Sequence, residues 1–137
     1  MFNKKLKNIL AILLLVFFVV SLTASAASAD KVVKSCYLIQ AAKLDPARPQ
    51  GGTTPHAVDS VKIVEAALVK AGYLADNSYA YDGSYGTTTI KAYKKWQRHL
   101  GSPSKYCDGI PGRTDLAKLG KQYKFTVDNT LYINSHR

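Results

Sequence analysis

Acidic side chains are scarce in this chain, and glutamate is almost absent. Nine Asp and Glu stand against nineteen Lys and Arg, and Glu65 is the single glutamate. Hydrolysis of a glycoside by paired carboxylates needs two acids held at a defined separation, and most of the acids here fall at turn or cap positions. Histidine occurs three times, as His56, His99 and His136. A catalytic zinc site needs three converging protein ligands and a base, and no two of these histidines stand at ligand spacing. Cysteine occurs twice, as Cys36 and Cys107, with no C-x-x-C and no adjacent His cluster, which disfavours a redox or metal pair. No catalytic residue, metal ligand or cofactor is assigned on these grounds, and the chain reads as a non-enzyme.

Long apolar runs are also missing, with one exception. Ile9 to Val20 is unbroken, follows Lys4, Lys5 and Lys7, and leads to Ala27-Ser28-Ala29 ahead of Asp30. The run falls short of the about 20 residues a membrane span requires, so residues 1–29 are expected to be a cleaved secretory signal. No cysteine follows the small residues, which argues against lipoprotein processing. The expected product is secreted and free of the membrane. Losing three lysines and no acid takes the formal charge from +10 to +7. A chain of this size buries only about 60 to 70% of its unfolded surface, and outside the cell Cys36 and Cys107 are expected to pair. That disulfide would tie the leading segment to the loop before Asp108, would be worth about 3 to 5 kcal/mol, and would leave no thiol as a nucleophile.

What the chain does have is concentrated between Tyr81 and Gly101. Asp82-Gly83 and Gly86 offer turn conformations with positive φ, and Thr87 to Thr89 offer hydroxyls to the free amides of a helix start. Ile90, Tyr93, Trp96, Gln97 and Leu100 then recur at spacings of three and four, with Lys91, Lys94, Lys95 and Arg98 pointing elsewhere and Gly101 closing the run. Asp108, Gly109, Gly112 and Thr114 repeat the spacing of Asp82, Gly83, Gly86 and Thr88, and Leu116, Leu119 and Tyr123 restart the stripe. One turn-into-helix unit is used twice.

Around this pair the chain divides simply. Residues 30–57 form a leading segment and linker. Asp30 to Gln40 is compatible with a short helix or a strand, and the Pro, Gly and Thr content of residues 44–55 reads as a loop. Val58, Val61, Val64, Leu68 and Ala71 mark a first helix ending at Gly72, followed by Tyr73-Leu74 and a tyrosine-bearing loop. Residues 58–124 hold the helical domain. Residues 125–137 begin with the alternating Phe125 to Ile133, an extended segment that either covers the helices or pairs with the leading segment. The fold class is mainly α: a compact three-helix domain with short extended N- and C-terminal segments, expected as a monomer.

V-D-S-V-K-I-V-E-A-A-L-V-K-A-G-Y-L, then D-G-S-Y-G-T-T-T-I-K-A-Y-K-K-W-Q-R-H-L-G, then D-G-I-P-G-R-T-D-L-A-K-L-G resembles the peptidoglycan-binding domain, a three-helix module attached to many bacterial and phage cell-wall hydrolases. The resemblance runs from Val58 to about Gly120. The chain departs from it where Glu65-Ala66 stands in place of a frequent Gln, where Ala75 to Ala80 lengthens a loop, and where Asp115 replaces the Thr that Thr89 supplies in the first unit. The resemblance implies a non-catalytic, cell-wall-associated module that binds peptidoglycan through its glycan or stem peptide. Trp96 reads as a core residue, and Gln97 as a hydrogen-bond partner of a loop backbone. The candidate ligand contacts are the side chains around the first turn, Tyr79, Tyr81, Asp82, Tyr85 and Thr87, joined by Arg98 and Tyr106 if the second loop folds alongside. Tyrosine can stack on a sugar or a peptide face, and a helix N-terminus offers amides to a carboxylate. Tyr85 has a second reading, as a core plug. The two Asp-Gly turns read as turn chemistry rather than calcium loops. The basic face of Lys91, Lys94, Lys95, Arg98 and Lys105 is either a solvated helix face or an attraction to anionic wall polymers. Export argues against nucleic acid. The alternative function is an extracellular interaction or regulatory protein that binds a wall hydrolase or another protein.

Overall fold

The structure is a computed structural model that describes residues 30–130. The expected signal segment and the end of the expected tail, from Leu131, lie outside the described residues. The elements follow the order β1 (Val32–Lys34), α1 (Ser35–Leu44), α2 (Val58–Lys70), α3 (Thr87–His99), α4 (Arg113–Tyr123) and β2 (Thr126–Asp128), with short 3-10 turns at Asp45–Ala47 and Ser104–Tyr106. The architecture is mainly helical, as expected, but has four α-helices among the described residues rather than three. The leading segment supplies the fourth, because Leu38, Ala41 and Ala42 recur at helical spacing and are buried together. No helix among the described residues is long and apolar enough to cross a membrane.

Helix α2 is the centre of the packing and meets α1, α3, α4 and β1. Its stripe of Val61, Val64 and Leu68 is fully buried against Tyr93 and Trp96 of α3, Leu116 and Leu119 of α4 and Leu38 of α1. Three helices end alike. Tyr73 N–H donates to Leu68 O at 2.9 Å, Ser102 N–H to Gln97 O at 3.2 Å and Phe125 N–H to Gly120 O at 3.0 Å, the long-reach bond that satisfies orphan carbonyls at a helix C-terminus. Lys124 takes the left-handed position at the end of α4, with φ 62°. The two strands lie parallel, with Val32 opposite Thr126, Val33 opposite Val127 and Lys34 opposite Asp128. The C-terminal segment thus pairs with the leading segment.

The expected Cys36–Cys107 disulfide is not formed. Both residues are free, half-buried thiols. Cys36 sits in the first turn of α1, while Cys107 closes the 3-10 turn after α3 and directs its Sγ to its own loop, 3.4 Å from Ser102 O and 3.6 Å from Pro103 O. The loop carbonyls, not a second sulfur, hold the thiol.

Candidate binding cleft and the two turn clamps

Each repeated unit is built by the helix before it. In the second unit, Gln97 of α3 accepts from Gly109 N–H at 2.8 Å and donates through Nε2 to Ile110 O at 3.0 Å and to Asp115 Oδ2 at 3.2 Å. In the first, Glu65 of α2 accepts from Gly83 N–H at 3.2 Å through Oε2, while Oε1 lies 3.0 Å from Thr89 Oγ1. The correspondence is residue for residue: Val58 to Glu65 spans the same interval as Ile90 to Gln97, and Thr89 occupies the place of Asp115. Gly83 and Gly109 carry φ of +79° and +78°, and each rests against the helix residue that starts its interval, Val58 or Ile90. Within each turn an Asp closes the same local bond. Asp82 Oδ1 accepts from Ser84 N–H at 2.8 Å, and Asp108 Oδ1 from Ile110 N–H at 2.9 Å.

Two expectations about these turns are corrected. Gly86 is extended, with φ −76°, so it is not a positive-φ position. The threonine hydroxyls do not cap α3, which has no side-chain cap, because Thr89 turns inward to Glu65. In α4 the corresponding Asp115 does reach back, accepting from Gly112 N–H at 2.7 Å and also from Tyr93 Oη at 2.7 Å, while its carbonyl accepts from Trp96 Nε1 at 3.0 Å. Trp96 is buried, as expected for a core residue, and Gln97 bonds the loop backbone at Gly109 and Ile110, also as expected.

The loop after α1 is part of the site. Asp45 is buried, and its Oδ2 accepts from Tyr85 N–H at 2.9 Å, while Oδ1 accepts from Thr54 Oγ1 at 2.6 Å and lies 3.4 Å from Arg48 Nε. Ser84 Oγ donates to Gly52 O at 2.7 Å. These bonds fasten residues 45–54 alongside the first turn and leave a cleft of about 420 Å3 between that loop and the start of α3. Tyr79, Asp82, Thr87, Thr88 and Thr89 line it together with Arg48 and Gln50. Tyr79 is 58% exposed at the rim, its backbone held by Asn77 Oδ1 at 3.0 Å. A ring, hydroxyls, a side-chain amide, a carboxylate and a guanidinium thus converge on one hollow. Such a set can stack on a ligand face and hydrogen-bond its oxygens and amides.

Of the sequence-predicted contacts, Tyr79, Asp82 and Thr87 are brought together here. Tyr81 is exposed near the same turn but does not line the cleft. Arg98 lies at the opposite end of α3, about 16 Å from Thr87 by the rise of an α-helix, and Tyr106 lies in the 3-10 turn beyond it; neither lines the cleft. Tyr85 is a correction. It is fully buried, donates through its hydroxyl to Gly109 O at 3.0 Å and tilts against Tyr93 at 6.4 Å, so it joins the two units instead of meeting a ligand. Burial, and next the nearby carboxylates, hold its phenol well above the usual tyrosine range.

Asp45, Arg48 and Glu65 were not among the predicted contacts. Glu65 had a signal in the sequence, since a lone glutamate between Val64 and Leu68 sits on the buried stripe. Its carboxyl is pushed up from 4.5 to about 7, chiefly by desolvation and further by Asp82, against the opposing pull of the Thr89 and Gly83 hydrogen bonds and Lys62. Comparison of the chain with protein-family models, curated proteins and solved structures returns no match.

Proposed function

We propose that this chain is a secreted, non-catalytic module that binds bacterial peptidoglycan reversibly through the cleft at its first turn. The observation that carries the reading is the convergence of Tyr79, Asp82 and Thr87 on one hollow walled by the 45–51 loop. The duplicated turn-into-helix unit supports it, because this is the feature on which the sequence resembles the peptidoglycan-binding domain. Lys91, Lys95 and Arg98 are exposed on α3 and would add a long-range attraction to anionic wall polymers that weakens as salt rises.

Pull-down with purified sacculi, stripped of anionic polymer and run across a salt series, tests the reading. Retention that survives high salt and falls roughly five- to thirtyfold in Tyr79→Ala or Thr87→Ala is the expected result, since loss of one stacking or hydrogen-bonding contact is worth about 1 to 2 kcal/mol. Tyr106→Ala should leave retention unchanged. Absence of retention at low and high salt would overturn peptidoglycan binding and move the search to a protein partner such as a wall hydrolase.

A further inference from the structure

We propose that Glu65 is a proton switch beneath this cleft: its protonation reverses the hydrogen bond to Thr89 and removes the negative charge directly behind the cleft wall. The inference deepens the peptidoglycan-binding reading and rests on it for the identity of the ligand, though not for the switch itself.

The argument starts from donors and acceptors. Glu65 is fully buried, and each carboxyl oxygen has one polar partner. Gly83 N–H can only donate, so Oε2 accepts in both protonation states. Any proton must therefore sit on Oε1, in the contact with Thr89. When Glu65 is ionised, Thr89 donates to it and keeps its lone pairs for other partners. When Glu65 is protonated, it donates to Thr89 Oγ1, and the threonine hydrogen is released to point elsewhere. Thr89 belongs to the cleft wall. Thr89 is 2% exposed and its hydroxyl is directed to Glu65, so the change reaches the cleft as the loss of a negative charge directly behind its wall.

The second unit supplies the comparison within the same chain. Gln97 Nε2 is a fixed donor to Asp115, and its Oε1 a fixed acceptor from Gly109. Protonated Glu65 reproduces those two bonds, though not the further one from Gln97 Nε2 to Ile110 O, while ionised Glu65 has no counterpart in the second unit. One clamp is locked and the other carries a proton that can leave. The groups facing Glu65 are Lys62 from its own helix, Asp82 and Tyr85 from the turn, and Thr89 from α3. Lys62 favours the ionised form, whereas burial and Asp82 oppose it, which sets the balance near neutral pH. A ligand that presents carbonyl, carboxylate or sugar oxygens to this wall should bind more tightly below that balance point.

Two readouts test the switch. In the unliganded protein, NMR titration from pH 5 to 9 should move the Glu65 side-chain carboxyl and the Gly83 amide with a shared midpoint of about 7, and Glu65→Gln should abolish the Gly83 transition. Sacculus retention should be roughly three- to tenfold stronger at pH 6 than at pH 8, the effect of one charge acting across a high effective dielectric, and pH-independent over that range in Glu65→Gln. A Glu65 carboxyl that titrates near its ordinary value, or a Glu65→Gln variant that keeps the wild-type pH profile of retention, overturns the proposal. If no sacculi are retained at either pH, the functional reading fails, and the switch stands or falls on the Glu65 and Gly83 titrations alone.

Discussion

Gly83 and Gly109 show how much of the turn architecture hangs on single atoms that are absent. A Cβ on Gly109 would lie 2.6 Å from both Ile90 Cγ2 and Ile90 O, and one on Gly83 would lie 2.7 Å from Val58 Cγ1. Gly72 has nearly the same positive φ, +77°, but nothing within 4 Å of its added Cβ. Gly72→Ala should therefore cost only the left-handed backbone penalty of about 1 to 2 kcal/mol. Gly109→Ala adds a clash with a helix carbonyl that cannot move cheaply, and should cost about 3 kcal/mol or more. Urea unfolding of the two variants decides the point: equal losses would mean that the close approach to Ile90 carries no energy. The Asp-Gly spacing made these turns legible in the sequence, because the turn chemistry is local. Tyr85 was ambiguous for the opposite reason. Its burial depends on Gly109 O and Asp45, and neither partner is near it in the chain.

Between elements, the Glu65 clamp makes stability depend on pH with a definite sign. The carboxyl ionises at about 7 in the folded chain, against an ordinary value of 4.5. Between those two pH values the folded state holds a proton that the unfolded state has lost, so stability is greatest below about 4.5 and declines as pH rises through about 7. The change is roughly 3 kcal/mol for one fully buried group. Glu65→Gln keeps an acceptor for Gly83 and a donor for Thr89 at every pH, as Gln97 does in the second unit. The variant should flatten the decline and be the more stable protein at pH 8. Urea midpoints at pH 5 and pH 8 check both statements, and a wild-type curve that is flat or rising from pH 5 to pH 8 would contradict them. The helical stripes of α2, α3 and α4 were readable from their spacing. Helix α1 was not decided by periodicity, since Val32-Val33 and Leu38-Ala41-Ala42 place a strand and a helix within a few residues. The loop of residues 44–55 has the composition of a linker, and only Asp45, buried and bonded across to Tyr85, makes it a wall of the cleft.

At the scale of the whole molecule, the two short strands close the fold by joining its first and last described elements. Thr126 N–H donates to Lys31 O at 2.8 Å, and Ser35 Oγ to Asp128 O at 3.1 Å. Beneath them Val33 is fully buried and Phe125 is 8% exposed, and Gly120 lets the Phe125 carbonyl and ring approach the back of α4. A two-stranded sheet this short has little stability of its own, so its role is to cover apolar side chains of the helical core. Sequence alternation offered the extended segment at Phe125 but could not choose between covering the helices and pairing with the leading segment, because parallel pairing across most of the chain leaves no local turn signal. A chain ending at Lys124 would lose Phe125 and the strand that shields Val33, about 1.5 to 3 kcal/mol for each side chain returned to water. We expect it to unfold at markedly lower urea, with faster hydrogen exchange at Leu38 and Val61 as well as along β1. An unchanged urea midpoint would instead mean that α2, α3 and α4 stand as a self-sufficient three-helix unit, with the strands as an addition to its surface.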